Sequence, residues 1–316
     1  MMHALCFAAS RVSTTRWLAM AVAIAAASAS GHSHGMAAPV APVAAAETLM
    51  QMEHVSVQVV GRGSPVILIP GLSSPRATWD GAVPELAKNH RVYLVQVNGF
   101  GGDDPRGNLQ PGILDGIVGD LHTLITGAKL GAVPVVGHSM GGLVALMLAK
   151  AHPEDVKKAL IVDALPFIST IFVPAATAES IKPQAEMMRA QMAGLYGKPF
   201  PEQLAQMLAQ QNALKPASRE KVAAWSTKAD MRVSAQAIYE DMITDLRPDL
   251  PRFATPITVL VPWTAARGEA ATLGFYRSQY AGAPKITIQG VGDSGHFIML
   301  DQPDAFERAL ATFLAA

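Results

Sequence analysis

A serine between two glycines is the residue of this sequence best suited to nucleophilic chemistry. Ser139 lies in VPVVGHSMGGLVALMLAK (133–150), where Gly137 and Gly141 complete the pattern G-x-S-x-G. Apolar residues precede the pattern as in a buried strand and follow it at helical spacing. A serine on such a sharp turn has a strained backbone, and glycines are needed where chain segments approach closely. The pattern therefore predicts a hydroxyl above a sheet edge, with the start of a helix directing amide N–H groups at it.

The elements that would position this serine are short β-rich runs alternating with helical segments. Strands are predicted over 55–60, 65–70, 91–97, 132–137, 158–163, 256–262 and 285–289. Helices are predicted over 140–151 and 303–314. This alternation predicts an α/β fold, with a mostly parallel sheet of about eight strands and helices on both faces.

One region, residues 166–250, interrupts the alternation. It contains no predicted strand, whereas Met188, Met192 and other apolar residues recur at helical spacing. Six prolines are expected to divide it into short helices: Pro166, Pro174, Pro183, Pro199, Pro201 and Pro216. The region is predicted to be a helical cap inserted between two strands. Its methionines either line an apolar pocket beneath the cap or fill the cap's own small core.

The first residues have the composition of an export signal. Arg11 and Arg16 precede an apolar run over 17–27, and cleavage is predicted after Ala29, so that 1–29 is a signal peptide, with cleavage after Ala46 as the alternative. The run is too short for a confident membrane span. We therefore expect a periplasmic or secreted protein with no stable membrane insertion after cleavage.

The rest of the chain is predicted to be a flexible linker over 30–50 and a single domain over 51–316 that includes the cap. Basic and acidic residues balance at 25 each, which argues against a nucleic-acid partner because such a surface needs a concentrated basic field. His32 and His34 alone do not complete a zinc site. Neither a metal nor a cofactor is predicted.

These motifs, in this order, resemble the α/β-hydrolase fold superfamily over most of residues 55–316. The pieces that carry the resemblance are LIPGLSS (68–74), VNGFGG (97–102), VGHSMGG (136–142) and DSGHFIMLDQP (293–303). The resemblance implies that Ser139 is the nucleophile and His296 the general base. It also implies that the backbone amides of Leu72 and Met140 form an oxyanion hole.

The carboxylate that should support the base is where the sequence departs from the superfamily. Members usually carry it after the strand that follows the cap, but Thr264 stands near that position. Asp163 ends the strand after the nucleophile helix, from which some members supply the acid. Glu269 lies in the usual region but several residues late, and Asp293 immediately precedes the histidine loop. Asp163 is favoured; the other two carboxylates, or no acid at all, remain open.

A serine nucleophile with a histidine base performs acyl transfer through an acyl-enzyme. The apolar cap favours a small or medium apolar carboxylic ester as the small-molecule substrate. The predicted activity is therefore that of a serine ester hydrolase of the esterase or lipase kind. Two alternatives stay open: a non-catalytic ligand-binding protein of the same fold, and an acyltransferase. The sequence predicts no oligomeric state.

Overall fold

The computed structural model describes residues 48–316, so the predicted signal peptide lies outside the described residues and export stays a prediction. Eight strands form one sheet in the order β1-β2-β4-β3-β5-β6-β7-β8. Their bounds are Thr48–Gln51 (β1), Val55–Val60 (β2), Ser64–Ile69 (β3), His90–Val97 (β4), Val133–His138 (β5), Val156–Val162 (β6), Ile257–Trp263 (β7) and Ile286–Gly292 (β8). The β1–β2 and β2–β4 pairs are antiparallel, and all pairs from β4 to β8 are parallel.

Ten α-helices accompany the sheet in the described part of the chain. They are Val83–Leu86 (α1), Ile113–Gly127 (α2), Met140–Ala151 (α3), Ala178–Ala193 (α4), Glu202–Asn212 (α5), Pro216–Ser226 (α6), Met231–Ile243 (α7), Glu269–Gln279 (α8), Ile298–Asp301 (α9) and Pro303–Ala315 (α10). Short 3-10 helices lie at Arg76–Trp79, Arg106–Leu109, Ile168–Ile171 and Arg247–Arg252. From residue 48 onward, no helix has both the length and the apolar character that crossing a membrane requires.

The core lies on both faces of the sheet because successive strand side chains point to opposite sides. In β3, Ile67 and Ile69 belong to a core cluster shared with α2, α3 and α8, while Val66 and Leu68 belong to a cluster shared with α1 and α10. All four side chains are fully buried. The α/β fold with a mostly parallel eight-stranded sheet and helices on both faces is thus confirmed.

The observed bounds of the predicted strands and helices differ from the expected ones by at most three residues. One strand, β1, has no predicted counterpart, and it begins inside the linker predicted over 30–50, which therefore ends too late. The reason is that pairing defines this strand: Thr48 lies opposite Val59 and Gln51 opposite Ser56 on β2. The side chain of Leu49 is 62% exposed, so β1 lacks a fully apolar pattern.

Helices α4 to α7 lie between β6 and β7, within the region predicted as a cap. Pro183 lies inside α4 and does not divide it, contrary to expectation; the helix starts with a capping box between Thr177 and Ser180. Met188 and Met192 pack at the edge of a small cluster of cap residues that also contacts Leu72. Of the two interpretations of the methionines, these two fit the second, since they help to fill the cap's own core.

Candidate active site

Ser139 occupies the turn that joins β5 to α3. Its backbone angles are φ 53° and ψ −125°, a conformation that costs strain for any residue with a side chain. Three hydrogen bonds hold it: the Ser139 amide donates to the Val162 carbonyl at the end of β6 (3.0 Å), and the Ser139 carbonyl accepts from the amides of Gly142 (2.7 Å) and Leu143 (3.2 Å). The neighbouring strand and the first turn of α3 therefore fix the strained backbone.

The two glycines of the pattern are required by close backbone contacts. A Cβ on Gly137 would lie 2.1 Å from the Gly141 carbonyl oxygen. A Cβ on Gly141 would lie 2.4 Å from the carbonyl oxygens of both Ile69 and Pro70. Because these neighbours are backbone atoms, no rotamer change relieves the clash. The end of β3 and the start of α3 thus meet at a distance that only glycine permits.

The structure brings His296 and Asp163 into direct contact. His296 Nδ1 lies 2.6 Å from Asp163 Oδ2, and both side chains are largely buried. Asp163 follows β6 with φ 47°, and its amide donates to the Leu260 carbonyl of β7 (2.9 Å). An ionised carboxylate only accepts, so Nδ1 carries the proton in this bond and Nε2 is left as an acceptor.

Within the described chain, the other positions weighed for the acid form no hydrogen bond or ion pair with His296. Glu269 is exposed at the start of α8, and Asp293 is exposed in the loop after β8. Thr264 lies in a turn, where its carbonyl accepts from the amides of Arg267 (3.0 Å) and Gly268 (2.9 Å). Of the three carboxylates, Asp163 alone is placed to orient the imidazole.

A tyrosine that sequence reasoning missed supports the same carboxylate. The Tyr276 hydroxyl, on α8, donates to Asp163 Oδ1, the oxygen that His296 leaves free. Burial and the Asp163 charge raise the pKa of Tyr276 well above its ordinary value, so the hydroxyl stays a donor. Tyr280, one turn later, donates to the Ala164 carbonyl (2.9 Å). The spacing of the two tyrosines indicates a shared helix face, but only the fold shows what that face contacts.

His138, the residue before Ser139, contacts His296 from the other side. Its Nε2 donates to the His296 carbonyl (3.0 Å), and the two ring centroids are 4.4 Å apart. Complete burial, with the charge of His296 as a second cause, lowers the pKa of His138 well below its ordinary value. The ring is therefore neutral and serves packing and support.

The loop that carries His296 is braced by a second buried carboxylate that sequence reasoning missed. Asp301 is fully buried, and its Oδ2 accepts from the amides of Gly295 and Leu214, both at 2.9 Å. Its Oδ1 accepts from the Lys215 amide (3.1 Å). Leu214 and Lys215 connect α5 to α6, so Asp301 ties the histidine loop to the cap.

The predicted oxyanion donors border Ser139. Met140 follows it directly, and a Cβ built on Gly71, the residue before Leu72, would lie 2.9 Å from Ser139 Cβ. Within the described chain, neither the Leu72 nor the Met140 amide donates a hydrogen bond. The Ser139 hydroxyl likewise has no hydrogen-bond partner among those residues, a state common in ligand-free sites. Two unengaged amide donors and one unengaged hydroxyl therefore lie at the turn whose preceding residue, His138, contacts His296.

Within residues 48–316, one cluster offers atoms that metals bind, and it lies at the opposite end of the strands. It contains His122, His152, Glu154 and Asp155, whose ligand atoms all lie within 4.8 Å of one another. His122 Nδ1 is 2.7 Å from Asp155 Oδ2, and His152 Nδ1 is 3.6 Å from Glu154 Oε1. These pairs account for the arrangement without an ion. No metal was predicted from the sequence.

The fold and the site define a hydrolase of α/β architecture, and residues 66–309 match the alpha/beta hydrolase family. The chain belongs to this family. Over 115 residues it is 33% identical to a pimeloyl-[acyl-carrier protein] methyl ester esterase of Aeromonas hydrophila, a match that covers 35% of this chain and 42% of that protein. It is 25% identical over 256 residues to an N-formylmaleamate deformylase of Pseudomonas putida, covering 80% and 90% of the two chains.

Solved structures of similar fold cover nearly the whole described chain. An esterase from Thermogutta terrifontis superposes with a TM-score of 0.70 at 19% identity, covering 85% of this chain and 98% of its own. An enol-lactonase from Burkholderia xenovorans gives a TM-score of 0.67 at 20% identity, covering 87% and 100%. Likeness at this identity establishes the fold. The substrate has to be argued from the site itself.

Proposed function

We propose that the protein is a serine hydrolase that cleaves carboxylic esters through an acyl-enzyme formed on Ser139. The observation that carries the proposal is the 2.6 Å contact between His296 Nδ1 and Asp163 Oδ2, beside a serine in a strained turn. One relative named above is a methyl ester esterase, which supports an ester as the substrate. An amide or thioester would need the same groups.

The first step is attack by the Ser139 hydroxyl on the ester carbonyl carbon. His296 Nε2 takes the hydroxyl proton as the oxygen–carbon bond forms. The resulting imidazolium is stabilised by the Asp163 carboxylate, which already accepts from Nδ1 and is held by the Tyr276 hydroxyl. The carboxylate thus fixes both the tautomer and the orientation of the ring.

The negative charge that develops on the carbonyl oxygen needs hydrogen-bond donors in place before reaction. The Leu72 and Met140 amides are assigned this role, since both border Ser139 and donate to no other described group. The positive end of α3, which begins at Met140, acts in the same sense. Loss of one such donor costs about 100- to 1,000-fold in turnover in serine proteases.

Collapse of the tetrahedral intermediate breaks the bond to the alcohol, which takes the proton from His296 as it leaves. Water then attacks the acyl-enzyme with His296 again acting as the base, and the acid is released with Ser139 restored. Each proton taken from a nucleophile is returned to a leaving group, so the cycle needs no group from outside the chain and its substrates.

The test combines covalent labelling with turnover. Wild-type protein should be labelled by a fluorophosphonate probe at Ser139 and should hydrolyse p-nitrophenyl butyrate. Ser139→Ala should lose the label and roughly 10⁵-fold or more of kcat, as loss of the nucleophile does in serine proteases. The matched control is Ser278→Ala, because Ser278 is exposed on α8 and its hydroxyl, within the described chain, only donates to the Phe275 carbonyl (2.7 Å) and accepts from the Gln279 side-chain amide (3.4 Å).

The other outcomes separate the alternatives. Absence of labelling together with saturable ligand binding would overturn the proposal in favour of a binding protein. Faster product formation with added alcohols than with water would favour an acyltransferase. Turnover that survives Ser139→Ala would show that another group does the chemistry.

A further inference from the structure

Asp241, on α7 of the cap, is a buried carboxyl without a hydrogen-bond partner among the described residues. Only 4% of its surface is exposed, and within residues 48–316 it forms neither a hydrogen bond nor an ion pair. Buried carboxyls are normally paired or hydrogen-bonded, because removing such a group from water without compensation is costly. An unpaired one beside a candidate active site therefore points to a missing partner.

The other carboxyls on and around α7 all have partners. Glu240 accepts from the amides of Gly112 (2.7 Å) and Leu114 (2.9 Å) at the start of α2. Immediately before and after α7, Asp230 forms a salt bridge with Arg232 (2.7 Å) and Asp245 forms one with Arg247 (2.6 Å). The unpaired state of Asp241 is thus a local exception, since acidic residues beside it are satisfied.

The helix places Asp241 over the proposed active site. Ser234, seven residues earlier, is fully buried and its hydroxyl lies 2.8 Å from that of Ser73, which follows the predicted oxyanion residue Leu72. Residues seven apart lie about two turns apart on nearly the same helix face. The face of α7 that contains Ser234 and Asp241 is therefore the face turned to the loop after β3.

His296 acts on this carboxyl electrostatically. Burial raises the pKa of Asp241 to about 7, and the charge of His296 opposes the rise. This electrostatic effect of His296 supports a position of Asp241 near the proposed active site. Among the described residues, no lysine or arginine compensates the charge of Asp241.

We propose that Asp241 determines substrate specificity by binding a protonated amine on the substrate, so that the preferred esters carry an ammonium group at the end directed to the cap. An ammonium group supplies both the hydrogen-bond donor and the positive countercharge that the Asp241 carboxylate lacks, whereas a hydroxyl supplies the donor alone. This inference rests on the proposed hydrolase function. The substrate that it names is an amphipathic ester, not the wholly apolar ester expected from the sequence. The substrate's ester carbonyl lies at Ser139 and its ammonium group beneath α7.

The experiment compares two esters that differ by one group. p-Nitrophenyl 6-aminohexanoate and p-nitrophenyl heptanoate place NH₃⁺ and CH₃ at the same distance from the carbonyl. Wild-type protein should hydrolyse the amino ester with a kcat/KM about tenfold or more above that of the heptanoate, since charge-assisted hydrogen bonds are the strong ones. Asp241→Asn should bring the kcat/KM values of the two esters to about the same level through a higher KM for the amino ester, with Ser139 still labelled by the fluorophosphonate probe.

Glu186→Gln is the matched control, because Glu186 is an exposed cap carboxylate on α4. It should leave the ratio of the two esters at its wild-type value. A change in that ratio as large as the one for Asp241→Asn would overturn the proposal, since a general field of the cap would then explain the preference.

Further outcomes separate this inference from the proposed function. Hydrolysis of both esters at equal kcat/KM, with Ser139 labelled, would overturn the role of Asp241 and leave the hydrolase. Preference for the p-nitrophenyl monoester of adipic acid, whose free end is an anion, would also overturn it, because Asp241 would then be a neutral donor. Failure of both labelling and hydrolysis would overturn the two proposals together.

Discussion

The sheet edge that carries Ser139 and the helical cap above it are built on different principles. At the edge, backbone contacts decide the geometry: a Cβ on Gly141 would lie 2.4 Å from two carbonyl oxygens, and Ser139 and Asp163 both have positive φ. In the cap, large apolar side chains such as Met187 and Tyr196 are 61% and 51% exposed. The turn that carries Ser139 is therefore positioned by backbone contacts, whereas large side chains of the cap face solvent.

The two regions also treat their carboxyls differently. Asp163 accepts from both His296 and Tyr276, so each of its oxygens has a donor. Asp241 has no donor among the described residues, although only 4% of its surface is exposed and it is more deeply buried than Asp163. A satisfied carboxyl fits a fixed role in orienting a side chain, whereas an unsatisfied one fits a role that a ligand completes.

The largest expected effect tests the sheet edge. Asp163→Asn should reduce kcat by roughly 10⁴-fold, because the imidazole loses the carboxylate that fixes its tautomer and stabilises its charge. Asparagine tolerates positive φ, so the backbone at φ 47° is preserved. Steady-state kinetics with p-nitrophenyl butyrate measures the change. Asp293→Asn and Glu269→Gln are the controls, and a comparable loss in either would mean that the acid is assigned to the wrong residue.

A pH-dependent stability change should follow from the unpaired cap carboxyl. The pKa of Asp241 is raised from 3.8 to about 7, so between these values the unfolded chain loses the proton that the folded protein keeps. The stability of the wild type therefore falls as the pH rises through this window and levels off above it. Asp241→Asn should be more stable than the wild type by up to about 4 kcal/mol near pH 8, with the difference vanishing towards pH 4.

Urea unfolding at several pH values measures this difference in stability. Within the described chain, His296 is the ionisable group whose charge acts on Asp241. Glu186→Gln, on the exposed side of α4, should give no comparable pH-dependent difference from wild type. If Asp241→Asn were less stable than wild type at neutral pH, a buried hydrogen bond to this carboxylate would have to exist.

Adding one methyl group at the turn should also damage the sheet edge. Gly141→Ala should lower the free energy of unfolding by about 3 kcal/mol, because the end of β3 and the start of α3 have to separate. Gly119→Ala on α2 is the control, since nothing lies within 4 Å of its added Cβ. That variant should be neutral or up to about 1 kcal/mol more stable. Equal effects in the two variants would contradict the close approach at Gly141.

A smaller effect is expected from the tyrosine behind Asp163. Tyr276→Phe should lower kcat about tenfold with KM unchanged, because a hydrogen bond to an ionised group is worth about 1.5–3 kcal/mol. Tyr280→Phe loses only the bond to the Ala164 carbonyl and should change stability without changing kcat. Identical kcat in Tyr276→Phe and wild type would mean that His296 alone orients the carboxylate.

The smallest effect is expected on the exposed side of the cap. Met187→Ala should change the free energy of unfolding by less than about 0.5 kcal/mol and leave kcat/KM for both matched esters unaltered. Its side chain is 61% exposed, so little packing is lost. A clear rise in KM would instead mean that Met187 contacts the substrate, which would contradict its assignment to the solvent-exposed side of the cap.

The strands and the turn at Ser139 were predictable because their signals are local. Residues 133–136 form an apolar run, and the glycines at 137 and 141 mark the turn in the sequence itself. β1 was not predictable, since pairing with β2 defines it and one of its few residues, Leu49, faces solvent. Nor was the continuation of α4 through Pro183.

The sequence by itself determined the alternation of strands and helices, the glycine-flanked serine and the histidine after the last strand, because each depends on residues close together along the chain. Only the tertiary structure decided which carboxyl meets that histidine. Asp163 lies 133 positions before His296, and parallel pairing of β6, β7 and β8 brings their carboxyl ends to one edge. The same holds for Asp241, since no local pattern reveals that this buried carboxyl on a cap helix lacks a partner among the described residues.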